Sequence, residues 1–528
     1  MSSTARRSPL LGVLLACACP EPASTDTDPT ATTACATACG EGTTGGDAPT
    51  TSTGGDTTTG EDEASTTGEG EASPTGEDEA STTGEGMSGC EAPPGLPPPF
   101  TVDGVAHVLL DLRRVDAELV FDTTTQEIRG AAVVDFAAGS VAGFPLFDLR
   151  QSITRAVLDG EELAPGALVE VELPAGDTTM IAVQRLLEPC SEHTLELEYA
   201  VDALDDDISF IFVNDAVAWA TQLFDYPAHR FAEKWFPSNL IHDVHDLGVD
   251  LLLADAPILH AVLANAPVVE LGPNHWRIDY VDVTSMSPMI QLCPAGSALA
   301  EVAEVELGDV TVEVEAWNCT TWKDAPPELA AVMPTVASAL QYSHDELGPY
   351  PHGDRFVVVV LPLGGPYSME YPGATVTESW AVPHEVFHNW IGRGVRPLTQ
   401  RDAWFDETWT EYAADDAYMT TPIDPAAPPV ELAGPDLWVR TFATKAYSTG
   451  PQVFASIAAE IGQDDFRAVL RDFYAAYTGQ AVSTETLERE LHCRIGGDLV
   501  RQRFHRFIYG RNGEAPAPPA DYCQHVKL

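Results

Sequence analysis

The chain has 528 residues, 44% of them hydrophobic, and its 81 acidic against 27 basic residues give a formal net charge of −54. This length exceeds the about 250–300 residues at which a single core stops growing, so we expect two folded domains. No second long apolar run follows the N-terminus, which excludes a bundle of transmembrane helices, and the negative charge makes nucleic acid an unfavourable partner.

The first segment, residues 1–17, has the layout of an export signal. Two arginines precede the short apolar stretch Leu10–Ala16, which is followed by Cys17. The tetrapeptide Leu14–Cys17 resembles a bacterial lipoprotein box, in which the cysteine is lipidated. We therefore predict a cell-envelope protein that contacts a membrane only through a lipid on Cys17. The alternative is an ordinary cleaved signal and a secreted protein.

Residues 18–100 are predicted to be a disordered linker. They contain sixteen acidic residues and neither Lys nor Arg, and they are rich in Thr, Ser, Gly and Pro. Such a segment cannot bury a core, and as a flexible tether it would average about 50 Å from end to end. Beyond it, 65 acidic and 25 basic residues leave a net charge of −40 on the folded part.

Residues 101–307 predict an antiparallel β-domain. Apolar and polar residues alternate with a period of two in short segments that are bounded by turn residues. The clearest predicted strands are Val105–Leu112, Glu118–Asp122, Ala131–Phe136, Val169–Glu172 and Thr194–Tyr199.

Residues 308–528 predict a mainly helical domain that also contains strands. The chain is therefore expected to belong to the α+β class. In chain order the predicted elements are a helix at Pro327–Glu346, a buried strand at Arg355–Leu361, an edge strand at Glu370–Thr377, a helix at Val453–Ile461 and a helix pair within Gly462–Leu491.

Six of the ten cysteines flank or lie in the folded region. In an exported protein an even set of this kind predicts up to three disulfides, and the spacings do not match a zinc ribbon. Cys493 and Cys523 are predicted to pair, while the remaining connectivity stays open. The six are Cys90, Cys190, Cys293, Cys319, Cys493 and Cys523.

The most informative motif is His384-Glu385-Val386-Phe387-His388. Two histidines four residues apart lie on one face of a helix, so both imidazoles can bind one zinc ion while Glu385 handles a proton. Pro383 suits the first turn of such a helix, and Gly392 is typical of its end.

Catalytic zinc takes three protein ligands and keeps one position open for water. Glu407, which is separated from the motif by eighteen residues, is the predicted third ligand. It lies in the aromatic segment Trp404–Tyr412, where a buried carboxylate is costly without a cation or hydrogen-bond donors. Glu411, one turn later on the same face, is the alternative third ligand, but it is predicted to orient His384 or His388 instead. The alternative is a pair of core histidines beside a solvated carboxylate.

The HExxH-x18-E pattern resembles the gluzincin metallopeptidases, specifically the aminopeptidase N family. His384–Trp390 is also similar to the metal helix of the glycyl aminopeptidases. The resemblance extends over roughly residues 100–510 and is densest at about 348–450. It implies a saddle-like N-terminal β-domain, a thermolysin-like catalytic domain and one Zn²⁺ per chain.

Two further residues take their predicted roles from the resemblance. The segment Tyr367–Tyr371 occupies the place of the family's GAMEN motif, so Glu370 is expected to bind the free amino group of a substrate. Ala446–Gly450 is similar to the family's Tyr-x-x-Gly segment, which makes Tyr447 the expected oxyanion donor. Other tyrosines that remain open for this role are Tyr342, Tyr474 and Tyr477.

These patterns predict a zinc-dependent peptidase, namely an aminopeptidase that acts on peptides outside the cytoplasm. The alternatives are a gluzincin endopeptidase, another zinc hydrolase such as an epoxide hydrolase, or a surface-binding lipoprotein with a vestigial site. Side-chain specificity and oligomeric state are not predicted by any of these motifs.

Overall fold

The computed structural model describes residues 95–527, apart from residues 177, 203–209, 222–230, 322–327, 362–367, 416 and 525. The predicted signal segment, the lipidation site Cys17 and the linker up to residue 94 lie outside the described residues. Within them, no helix combines the length and the apolar character needed to cross a bilayer.

The N-terminal part of the described chain consists of seventeen strands in three sheets. The strand orders are β1-β2-β5-β9-β8, β15-β16-β13-β3-β4-β10-β6-β7 and β11-β12-β17-β14. The strands are β1 Phe100–Val102, β2 Val105–Leu109, β3 Asp111–Asp122, β4 Glu127–Ala137, β5 Phe144–Phe147, β6 Ser152–Leu158, β7 Glu161–Glu162, β8 Leu168–Glu172, β9 Thr179–Val183, β10 Glu192–Val201, β11 Phe210–Val213, β12 Ala216–Ala220, β13 His245–Ala254, β14 His260–Ala264, β15 Val268–Gly272, β16 His275–Val283 and β17 Ile290–Pro294.

Strand β3 illustrates why alternating residues form this domain. Val115, Leu119 and Phe121 are fully buried on one face, whereas Glu118 between them is exposed. Four of the five predicted strands lie within an observed strand. The fifth, Val105–Leu112, is wrong as a single strand, because it covers β2 and the first residues of β3, which belong to different sheets. Most pairs are antiparallel, but β3 runs parallel to β13 and β2 runs parallel to β5. Alternation determines which face a side chain occupies but not the direction of the neighbouring strand, so these parallel pairs were not predicted.

The C-terminal part combines a five-stranded sheet of order β18-β19-β20-β22-β21 with seven helices among the described residues. The predicted domain boundary at 307/308 falls inside the β18–β19 hairpin. The elements are β18 Ala298–Leu307, β19 Val310–Cys319, α1 Leu329–Leu347, β20 Arg355–Val360, β21 Met369–Tyr371, β22 Ala374–Thr377, α2 Val382–Phe387, β23 Arg396–Pro397, α3 Trp404–Thr410, α4 Thr449–Ile461, α5 Gln463–Tyr477, β24 Ala481–Val482, α6 Thr484–Ile495 and α7 Leu499–Phe507.

The predicted edge strand Glu370–Thr377 is wrong as a single strand. It forms the hairpin β21–β22, in which Glu370 pairs with Thr375 and β21 is the edge of the sheet. The turn between them uses Gly373 at φ 70°, a conformation that favours glycine. The Gly373 N–H donates to Asn389 Oδ1 at 2.9 Å, so the hairpin is attached to the chain that follows α2.

Two disulfides have both cysteines among the described residues, and Cys190 is disulfide-bonded as well. The predicted bridge Cys493–Cys523 is confirmed and joins α6 to the C-terminal tail. The second bridge, Cys293–Cys319, joins β17 of the first part to β19 of the second. It therefore fixes the β-domain covalently to the sheet from which the site is built.

A buried ionic cluster also connects the two parts. Arg440 donates Nη2 to Glu233 Oε1 at 2.9 Å and Nη1 to Asp148 Oδ2. Arg150 Nη2 donates to the same Asp148 oxygen at 2.8 Å. The side chains of Arg440, Asp148 and Glu233 are at most 4% exposed. Removing the guanidinium would therefore leave two buried carboxylates with weaker compensation.

We predict that Arg440→Ala lowers the free energy of unfolding by about 3–5 kcal/mol, because it breaks a buried ion pair from one side. Urea denaturation measures the change. The control is Arg155→Ala, which removes an exposed pair with Glu198 at 3.0 Å and should cost less than about 1 kcal/mol. Equal losses in the two variants would contradict the assigned importance of the cluster.

Candidate metal centre and active site

Helix α2 brings the two motif histidines together. His384 lies within the helix, and His388 follows its last residue with helical backbone angles of φ −56° and ψ −22°. The His388 N–H still donates to the His384 carbonyl at 3.3 Å. Both rings therefore lie on one face, and their Nε2 atoms are 2.9 Å apart. The shared face follows from the four-residue spacing.

Helix α3 supplies the third candidate ligand atom. Glu407 Oε2 lies 3.3 Å from His384 Nε2 and 3.4 Å from His388 Nε2. Ligands arranged tetrahedrally around zinc at about 2.0–2.1 Å lie roughly 3.3–3.4 Å from one another. Glu407 is 3% exposed, and its Oε2 accepts no hydrogen bond from any described residue. The geometry and the unpartnered oxygen both fit a bound cation, so the predicted ligands are suited to zinc.

Asp406, the neighbour of Glu407, is a site residue that the sequence reasoning missed. His388 Nδ1 lies 2.5 Å from Asp406 Oδ1 and 3.2 Å from Thr410 Oγ1. A carboxylate that accepts a hydrogen bond from Nδ1 of a histidine fixes the orientation of the ring. It also makes Nε2 a better metal ligand. The available signal was a second acidic residue in the same aromatic segment.

Two glycines allow these helices to approach closely. A Cβ added at Gly392 would lie 2.1 Å from Asp406 Oδ1, and the φ of this residue is +105°. A Cβ at Gly450, near the start of α4, would lie 1.8 Å from Thr408 Oγ1. Each glycine therefore leaves room for a side chain of α3, and substitution would displace the helix that carries Glu407.

Glu411 lies on the other side of His384. Its Oε1 is 3.8 Å from His384 Nδ1, which is ion-pair distance and longer than a hydrogen bond. Glu411 begins a π-helical turn, Glu411–Asp415, directly after α3. The structure therefore places Glu411 beside His384, as predicted. The short contact to Nδ1 of His388 comes from Asp406 instead.

The electrostatics of the site follow from its burial. Burial raises the pKa of Glu385 to about 8; the neighbouring imidazoles oppose this effect, and Glu370 adds to it. Burial also opposes ionisation of Glu407, but the two imidazoles hold the pKa of its carboxyl well below its usual range. For His388 burial favours the neutral ring, yet the carboxylates led by Asp406 raise its pKa well above the ordinary value. The site therefore has an excess of negative groups.

Glu370 lies in β21 and is 2% exposed. Its Oε1 accepts a hydrogen bond from Arg393 Nη2 at 2.6 Å. Arg393 was not among the predicted site residues, because nothing in its local sequence indicates a partner 23 residues away. The structure thus places Glu370 next to the metal centre but pairs its carboxylate with a guanidinium.

Tyr447 follows a 3₁₀ turn, Thr444–Ala446, and is partly buried. Its ring is nearly parallel to that of His384, with centroids 6.4 Å apart and an interplanar angle of 17°. Thr408 Oγ1 donates to the Ala446 carbonyl at 3.1 Å and so joins the tyrosine segment to α3. Tyr447 is therefore beside His384. The other three candidate tyrosines donate their hydroxyl hydrogen bonds elsewhere. Tyr342 donates to the Ala413 carbonyl, Tyr474 to the Pro349 carbonyl and Tyr477 to Glu490 Oε1.

We predict that Asp406→Ala weakens zinc affinity about 10–100-fold, because His388 Nδ1 loses the carboxylate that orients the ring. Competition with a fluorescent chelator measures the affinity. The control is Asp464→Ala at an exposed position of α5, which should bind zinc as the unmodified protein does. Unchanged affinity in Asp406→Ala would contradict the orienting role.

The chain was compared with known proteins at three levels. No family model matches it, and no curated protein matches it. Solved structures do match. An M1 zinc metallopeptidase from Deinococcus radiodurans is 18% identical, with a TM-score of 0.55, over 78% of this chain and 96% of that one.

Two further structures have a similar fold. Legionella pneumophila aminopeptidase A is 11% identical, with a TM-score of 0.58, over 76% of this chain and 50% of that one. Yeast LTA4 hydrolase is 13% identical, with a TM-score of 0.54, over 78% and 69% of the two chains. At these identities the similarity concerns the fold. The described chain shares the two-domain fold of M1 zinc metallopeptidases, with an N-terminal β-domain and a helical C-terminal part.

Proposed function

We propose that this protein is a zinc-dependent peptidase. The observation that carries the proposal is the set of three candidate ligand atoms on the partly buried His384 and the buried His388 and Glu407, which lie 2.9–3.4 Å from one another. The fold shared with M1 zinc metallopeptidases supports it. A mutant form of the Deinococcus enzyme was solved with a Tyr-Ser-Ala substrate, and we propose peptides as the substrates here as well.

The three ligands would hold one Zn²⁺ per chain, with Asp406 orienting His388. A bound zinc ion would polarise a substrate carbonyl and lower the pKa of a water molecule towards neutrality. The same residues without metal would form a region of excess negative charge, which is the expected property of an empty cation site.

Glu385 is the proposed base. It takes a proton from the attacking water as the water oxygen bonds to the carbonyl carbon, and it gives a proton to the amide nitrogen as the C–N bond breaks. Its Oε2 is buried and accepts no hydrogen bond from the described residues, so it is not engaged in a structural contact. Tyr447 is proposed to donate a hydrogen bond to the oxyanion that forms between these steps.

The aminopeptidase form of this proposal requires an accessible carboxylate for the substrate amine. Glu370 was assigned that role by resemblance, but its carboxylate accepts a hydrogen bond from Arg393 at 2.6 Å. The geometry therefore supports peptide-bond hydrolysis better than strict removal of N-terminal residues. A vestigial site on a surface-binding lipoprotein is the competing proposal, and it differs in predicting no stoichiometric zinc.

We further propose that the enzyme works outside the cytoplasm, attached to the cell envelope through a lipid on Cys17. The support is the arrangement of arginines, apolar stretch and cysteine within residues 1–17. The acidic linker would then separate the folded part from the membrane. If Cys17 is not lipidated, the same segment would act as a cleaved signal and the protein would be secreted.

We predict that Glu385→Gln keeps its zinc but loses about 10²–10⁴-fold in kcat, because it removes the base and leaves the ligands intact. Metal analysis and peptide hydrolysis are measured on the same preparation. The control is Glu460→Gln on the exposed part of α4, which should keep full activity. A zinc-loaded Glu385→Gln protein with normal turnover would exclude Glu385 as the base.

We predict that Cys17→Ser releases the protein from the membrane fraction of the producing cells, because the serine hydroxyl does not receive the lipid. Detergent-phase partitioning of both forms measures the anchor. Peptidase activity should stay the same, since the substitution is far along the chain from the metal ligands. Equal partitioning of the two forms would favour the cleaved-signal alternative.

A further inference from the structure

Arg393 is held in place on several sides. Its backbone N–H donates to the His388 carbonyl at 2.9 Å, and its Nη1 donates to the Gly392 carbonyl at 3.1 Å. Its Nε donates to the Glu370 carbonyl at 3.3 Å, and its Nη2 donates to Glu370 Oε1 at 2.6 Å. Arg393 thus binds both the main chain and the side chain of Glu370, directly beside the metal ligands.

This ion pair is enclosed by protein. The side chains of Arg393 and Glu370 are 4% and 3% exposed. Arg393 Nη1 also lies 3.7 Å from Asp406 Oδ2, so one guanidinium forms ion pairs with two carboxylates. Separating Arg393 from Glu370 would leave charges uncompensated in a region with little water, which is strongly unfavourable. The Glu370 carboxylate is therefore already paired with a cation through Oε1, which weakens its attraction for the amine of a substrate.

Among the described residues, the other four carboxylates that lie beside His384 and His388 are poorly placed to bind an amine. Glu385 and Glu407 are assigned to chemistry and metal binding, and Asp406 contacts His388. Glu411 is 26% exposed in its side chain, but it faces His384 Nδ1, whereas Glu407 faces His384 Nε2. An anchor for the first residue of a peptide has to lie near the scissile carbonyl and hence on the Nε2 side.

We propose that Arg393 occupies the position of a substrate amine, so that the enzyme accepts peptides without a free amino terminus and cleaves internal or N-blocked peptide bonds. This inference rests on the proposed zinc peptidase and specifies its substrate class. Arg393 acts as a positioning and specificity residue, because it neutralises Glu370 and does not itself contact the reacting atoms.

The test compares two forms of one internally quenched hexapeptide, with a free and with an acetylated N-terminus, on the full-length zinc-loaded protein. A charged hydrogen bond to an accessible carboxylate is worth about tenfold or more. We expect the kcat/KM values of the two forms to differ by less than about tenfold. A larger preference for the free amine overturns the proposal.

Binding provides a readout that is independent of turnover. Titration calorimetry on zinc-loaded Glu385→Gln should give Kd values for the two peptides that again agree within about tenfold. Tighter binding of the free peptide beyond that limit would show that an anchor for the amine exists. Glu411→Gln would then report whether Glu411 supplies it.

Substitution of Arg393 tests the cause. Arg393→Gln exposes the Glu370 carboxylate to a ligand amine and should raise the preference for the free peptide to about tenfold or more, whereas Glu370→Gln should leave it unchanged. Arg355→Gln is the matched control, because Arg355 pairs with Glu315 at 2.9 Å in the same sheet but away from the metal ligands. If Arg393→Gln does not fold, the comparison of substrates on the unmodified protein still decides the question.

Failure of this inference differs from failure of the proposed function. Hydrolysis that depends on Glu385 but is restricted to the free peptide overturns the role of Arg393 and keeps the peptidase. Absence of both zinc and hydrolysis overturns the peptidase and this inference together.

Discussion

Four buried carboxylates lie close together beside His384 and His388, and their negative charge has to be compensated because little water reaches them. Glu370, Glu385, Asp406 and Glu407 are 2–6% exposed. Burial of so many negative groups is unfavourable unless cations or hydrogen-bond donors accompany them. Arg393 compensates the charge of Glu370 and Asp406, and the imidazoles compensate that of Asp406 and Glu407. A metal ion would supply the remaining positive charge. The close approach of α2, α3 and the β21–β22 hairpin depends on this balance.

Aromatic packing keeps α3 in place while its polar side chains face the site. Trp404 and Trp409 on α3 both pack against Phe454 of α4, and Tyr412 packs against Phe454 and Phe466. These rings give the helix a large apolar face, which offsets the cost of holding Asp406 and Glu407 in fixed positions. A helix of seven residues would not be stable without such tertiary contacts.

The β-domain is attached to the helical part by two different means. The disulfide Cys293–Cys319 fixes β17 to β19, and the buried cluster around Arg440 joins distant segments through charge. The disulfide ties the β-domain to the sheet that contains Glu370, whereas Arg440 ties it to the chain segment between α3 and α4. Together they restrict movement of the β-domain relative to the site, so the surroundings of the metal ligands are set by both parts of the chain.

The amino-acid sequence by itself determined the β-domain, the metal helix and the register of His384 and His388, because alternation and the four-residue helical spacing are local properties. It also indicated Glu407, since an acidic residue among aromatic ones needs a reason to be buried. Only the tertiary structure decided the parallel pairing of β3 with β13, the contact of Asp406 with His388 and the pairing of Glu370 with Arg393. Each of these joins segments whose approach depends on packing across the fold, and neither periodicity nor spacing along the chain contains that information.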